Sequence, residues 1–159
     1  MRRWMIYVAV VAAALVLKPE NVNDVGELLP VELLYISREA GRIRAETDTG
    51  AIGTGRSLEE ALKDLKETAP GVIFLETADY LIVTDRTVYL IPKLTEVLRP
   101  STEVCVGKNA DAQAAAFLKA HPSEVTLNDT RAGQEEIPTL IGSKERYYFG
   151  ESWKGRQKA

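Results

Sequence analysis

The chain has 159 residues, with a hydrophobic share of 45% and a charged share of 27%, the make-up of one globular domain able to bury its own core. Its net charge of −3 argues against a nucleic-acid partner, which selects basic faces. A single cysteine, Cys105, and a single histidine, His121, exclude an intramolecular disulfide and any Cys- or His-rich metal site; no motif calls for a cofactor.

Residues 1–18 read MRRWMIYVAVVAAALVLK: two arginines, an uncharged run from Trp4 to Leu17, then Lys18. A basic start before an apolar run is the plan of a signal peptide or a signal anchor. As a helix the run reaches about 21 Å, short of a bilayer core of roughly 30 Å. Arg3 and Lys18 are placed to extend it by snorkelling. Ala12-Ala13-Ala14 offers an A-x-A cleavage site, but Leu15 makes a poor new N-terminus. The β-branched residues Ile6, Val8, Val10, Val11 and Val16 suit a buried strand of a soluble fold instead. The anchor reading is preferred, with Arg2 and Arg3 kept in the cytoplasm and the body outside.

Residues 19–27 (PENVNDVGE) are polar and read as a linker, taken to extend to 29. Leu33 to Ser37 and Ile43 to Thr47 form two strand-like runs joined through Gly41, a hairpin pattern; Arg44 and Glu46 alternate with Ile43, Ala45 and Thr47. The glycine-rich stretch TDTGAIGTGRS reads as a flexible connection to a helix opened by a Ser57/Glu60 capping box, with Leu58, Ala61, Leu62 and Leu65 on its inner face and Pro70-Gly71 as its stop. Val72 to Leu75 and Tyr80 to Thr84 are strand candidates. Between Thr87 and Leu98 two readings stand: a helix kinked at Pro92, or a strand to Ile91 with Pro92 opening a shorter helix. Glu103 to Val106 is a short strand. Asn109 is expected to cap a helix through Ala120 that turns Ala112, Ala116 and Phe117 inward. Val125 to Leu127, Pro138 to Ile141 and Tyr147 to Phe149 read as edge strands, available for docking.

This alternation argues for an α/β (α+β sandwich) domain: a mixed central sheet with about three helices, preceded by one N-terminal apolar helix. The expected division is an anchor or signal segment at 1–18, a linker at 19–29, a single α/β domain at 30–150 and a polar, mobile tail at 151–159.

Two segments invite a catalytic reading. Asp48-Thr49-Gly50-Ala51 resembles the D-T-G-A signature of retroviral-type aspartic peptidases, where two such aspartates share a proton across a dimer, and Leu140-Ile141-Gly142 looks like the later apolar-apolar-Gly element of that family. Here Asp48 follows an alternating, solvated strand, and a helical region separates the two motifs, so a strand-ending turn is the preferred reading and a dimeric peptidase using Asp48 the alternative. Gly50 to Ser57 lacks the G-K-[ST] of a phosphate loop, leaving at most a weak anion site at the helix start. Cys105, between Val104 and Val106, reads as a buried inert thiol, and His121 as a helix-terminal cation.

Residues 30–120 resemble the N-terminal domain of the Ger(x)C family, the C subunits of spore germinant receptors. The resemblance rests on the strand pair Val31 to Thr47, the S-L-E-E-A-L helix start at Ser57 to Leu62, the apolar segment Val72 to Val83 and the short strand Val104-Cys105-Val106-Gly107-Lys108. It covers a little over half of the chain. Members of that family carry a lipobox cysteine and further domains, and this sequence has neither the cysteine nor the length. The resemblance implies an extracytoplasmic accessory role linked to germination or sporulation and carries over no functional residues.

The expected function is therefore that of a single-pass, membrane-tethered, non-catalytic domain that binds a protein partner outside the cytoplasmic membrane. A cytosolic binding module, with the first run as a core element, is the third reading.

Overall fold

The computed structural model describes residues 28–131, 136–143 and 146–154. The apolar run at 4–17, most of the expected linker and residues 155–159 of the expected tail lie outside them. The elements are β1 (Leu28–Pro30), β2 (Leu33–Glu39), β3 (Arg42–Thr47), β4 (Ile52–Gly55), α1 (Leu58–Thr68), β5 (Val72–Phe74), β6 (Tyr80–Val83), α2 (Ile91–Leu94), β7 (Glu103–Gly107), α3 (Ala112–Ala120), α4 (Leu127–Arg131), β8 (Glu136–Ile137), β9 (Thr139–Ser143), β10 (Arg146–Phe149) and β11 (Trp153–Lys154). Seven strands make one mixed sheet in the order β10-β9-β7-β6-β2-β3-β4, and β1–β5 and β8–β11 form two small ribbons. The fold is α/β with a mixed sheet, as the sequence implies.

Strands β2, β6, β7 and β9 run parallel; β3, β4 and β10 are antiparallel to their neighbours. The central strands are apolar on both sides because both are covered. Leu34, Ile36, Leu81, Val83, Val104 and Val106 face one core, shared with α1, α2 and α4, whereas Leu33, Tyr35, Ile82 and Cys105 face a smaller core under α3. Strand β3 has only one covered side, so Ile43, Ala45 and Thr47 are buried while Arg44 and Glu46 are half-exposed and ion-paired at 2.9 Å.

The β2–β3 hairpin closes through Ala40 and Gly41, both at positive φ (47° and 81°). A two-residue turn of this hand matches the strand twist and favours Asn-Gly. Helix α1 is capped by Ser57, whose Oγ accepts from Glu60 N–H at 3.1 Å; the Glu60 carboxylate reaches back one residue beyond the expected partner, to Arg56 N–H at 2.8 Å. Leu58, Ala61, Leu62 and Leu65 are buried, as their spacing requires. Lys93 ties α2 to α1 through Glu59 at 2.9 Å, a hydrogen bond that holds the Glu59 carboxyl down at about 2; both groups are exposed, so the bridge adds little stability.

The glycine-rich stretch is not a flexible connection. It contains β4, and Gly53 and Gly55 are where α1 lies against the strand. A Cβ on Gly53 would sit 2.2 Å from Ala61 O, and one on Gly55 2.5 Å from Ala61 N.

Four further expectations are revised. Val88 to Leu90 is a 3₁₀ turn leading into the single turn of α2, so neither the strand nor the long kinked helix forms. Asp111 rather than Asn109 caps α3, its Oδ1 accepting from Gln113 and Ala114 N–H. Ala114, Ala115 and Leu118 are the buried residues of α3 and Ala112 and Ala116 are exposed, whereas Phe117 packs, partly buried, against the smaller core as expected. At 125–127 the chain makes only an isolated bridge, Thr126 to Glu103, before α4 begins. Trp153, expected in the tail, pairs with Ile137 and packs on the larger core.

Two stability changes are expected. Gly53→Ala forces α1 off the ribbon and lowers the unfolding free energy by about 3 kcal/mol, read from the urea midpoint at unchanged slope. Ala40→Asn relieves a left-handed alanine and raises stability by about 1 kcal/mol, read as a higher Tm.

Candidate functional site

Asp48 occupies the turn between β3 and β4, and its Oδ1 accepts from Glu32 N–H (3.1 Å) and Leu33 N–H (3.2 Å). Its own N–H donates to Leu33 O at 3.2 Å, so the residue clasps the entry of β2. Leu140-Ile141-Gly142 lies in β9, with β7, β6 and β2 between it and β3. Within one chain the fold keeps the two peptidase-like motifs apart.

At the start of α1, Ser57 and Glu60 already occupy backbone donors, and Glu59 and Glu60 place two carboxylates in the first turn. That charge opposes an anion there. Cys105 is buried to 1% exposure, and burial pushes its thiol far above the ordinary cysteine range, as expected of a core residue. His121 ends α3, its ring centroid 4.8 Å from that of Phe117. Among the described residues no three His, Cys, Asp or Glu side chains converge in a metal-binding group, and no helix is long and apolar enough to cross a membrane.

A groove of about 630 Å³ opens at the carboxyl ends of β2 and β6, lined by Arg38, Asp85, Arg86, Tyr89 and Trp153. Carboxyl ends of parallel strands are where open α/β sheets bind ligands. The turn that carries Asp85 and Arg86 is held by Thr87, which is fully buried: Thr87 Oγ1 donates to Ile36 O at 2.8 Å and accepts from Thr84 N–H at 2.9 Å. These bonds pin the 84–87 turn to Ile36, where the β2–β6 ladder ends. Arg38 Nη1 donates to Tyr89 Oη at 3.2 Å, so a guanidinium and a phenol are set side by side before anything binds. Tyr89 is 58% exposed. Two guanidinium groups against one carboxylate leave a local positive excess on an acidic chain.

None of these five residues stands out in the sequence. They come from β2, the turn after β6, the 3₁₀ segment and β11, and no spacing unites them. The available signal was the run Asp85-Arg86-Thr87-Val88-Tyr89, an exposed turn with a charge pair and an aromatic directly after a buried strand.

Asp48→Ala removes two backbone hydrogen bonds and is expected to lower stability by about 1–2 kcal/mol in chemical denaturation, whereas Asp48→Asn, which keeps an acceptor, loses less.

Compared with protein-family models, with curated proteins and with solved structures, the chain has no match.

Proposed function

We propose that this chain is a membrane-tethered, non-catalytic protein-binding domain that holds its partner in the groove between Arg38, Arg86, Tyr89 and Trp153. The observation that carries the reading is the groove's composition. Arg, Tyr and Trp are the residue types on which interface binding energy concentrates, because each offers large area with few rotamers or a rigid fork of donors. The paired guanidinium groups select a partner segment with carboxylates, and the aromatic side chains select apolar neighbours to them.

The tether is the run from Trp4 to Leu17, with Arg2 and Arg3 on the cytoplasmic side and the body outside. The resemblance to the Ger(x)C family supports the same side of the membrane and an accessory role linked to germination or sporulation.

The test is made on the full-length protein in its own membrane. A photocrosslinking residue at Tyr89 is expected to give one discrete adduct, and Arg86→Glu is expected to weaken the adduct's partner about 30-fold, the scale of one interface hot spot. Carbonate-resistant membrane association and digestion of the body by protease added to spheroplasts are expected alongside. A soluble, protease-protected chain with no adduct at Tyr89 overturns the proposal.

A further inference from the structure

The two edges of the seven-stranded sheet are finished differently. In the β3–β4 ladder the bond from Thr47 N–H to Ala51 O sets the phase, so Ile52 and Thr54 turn their backbone groups outward. Helix α1 covers both: Thr54 N–H donates to Asp64 Oδ2 at 2.7 Å, and Thr68 Oγ1 donates to Ile52 O at 2.9 Å. That edge is closed to another strand.

At β10 the phase follows from Gly150 N–H donating to Thr139 O at 2.8 Å, which turns the N–H and C=O of Tyr147 and Phe149 outward. Among the described residues nothing bonds these four groups. The strand lacks the usual guards of an edge: Arg-Tyr-Tyr-Phe has no proline and a single charge, Arg146. On one of its sides Tyr148 (53% exposed) pairs with Ile141 (41% exposed), two of the large hydrophobic residues left at the surface.

We infer that β10 pairs antiparallel with β10 of a second copy of this chain, in the register that sets Tyr148 opposite Tyr148. The exposed edge is self-complementary. In that register Tyr147 faces Phe149 of the other chain, and each such pair exchanges two bonds, so all four outward groups of both strands are satisfied at once. Ile141, Tyr148 and their two symmetry equivalents fall in one apolar row across four strands. Within the paired strands the single charge, Arg146, faces the neutral Gly150. A register centred on Tyr147 would make only half of these bonds between the two four-residue strands. An interface of this kind is small, below about 1,200 Å², and gives a weak dimer that a shared membrane surface strengthens by raising the local concentration.

The test uses single cysteines in the full-length protein; Cys105 is buried and stays silent. Two residues facing each other in a non-hydrogen-bonded antiparallel pair have Cα atoms about 4.5 Å apart, within disulfide reach. Tyr148→Cys is therefore expected to form a disulfide-linked homodimer under copper-phenanthroline oxidation. Ile141→Cys on the same side is expected to stay monomeric, its equivalent lying three strand spacings or about 14 Å away, and Thr54→Cys on the covered edge likewise. Dimer from Tyr148→Cys at least tenfold above both others is the expected result. No dimer from any variant, equal dimer from all three, or a Tyr148→Cys adduct only to a different protein each overturns the self-pairing.

Discussion

Helix α1 can lie on the β3–β4 ribbon only because Gly53 and Gly55 present no side chain to it. Much of the architecture depends on that contact. It buries Leu58, Ala61, Leu62 and Leu65 against the larger core, and it brings Asp64 and Thr68 over the outer backbone of β4. One glycine pair thus serves packing and edge protection together. Backbone-to-backbone approach of this kind cannot be accommodated by rotamer changes, because the atoms a Cβ would meet belong to the helix main chain.

With one edge closed, the polar backbone left at the other end of the sheet becomes the feature to explain. A sheet buried on both sides through β2, β6 and β7 needs partners for its last strand, and α3, which packs over β10, supplies none to the outward groups of Tyr147 and Phe149. The groove arises from a separate constraint. Thr87, fully buried with its hydroxyl bonded to Ile36 O, anchors the turn after β6 to β2 where the β2–β6 ladder ends, and so Asp85, Arg86 and Tyr89 meet Arg38. Protein binding through that groove and strand pairing at β10 are compatible, since they use the sheet's carboxyl end and its lateral edge.

The parts of the fold that were legible in the sequence are those whose cause is local. Alternation of Ile43, Ala45 and Thr47 with Arg44 and Glu46 marked a strand with one wet side; Ser57, Glu60 and the leucine spacing marked α1; Val104, Cys105 and Val106 marked a buried strand with an inert thiol. Where several residues satisfy the same local rule, the sequence does not choose between them. Asn109 and Asp111 are both good caps, and a helix rich in alanine has no strong apolar stripe, so the sequence leaves open which alanines of α3 turn inward, while Phe117 packs on the core as its bulk requires. Glycine spacing suggested mobility in 50–56, whereas the glycines answer a contact with residues that follow them in the chain.

By itself the sequence determined the secondary-structure alternation, the α/β class, the hairpin joined through Gly41 and the burial of Cys105, because each follows from the chemistry of neighbouring residues. Only the tertiary structure decided the strand order, which edge α1 covers, and the meeting of Arg38, Arg86, Tyr89 and Trp153 at one groove. The physical reason is that register and neighbour choice minimise exposed backbone and apolar surface over the whole domain. The residues that end up together are joined by packing and not by spacing along the chain.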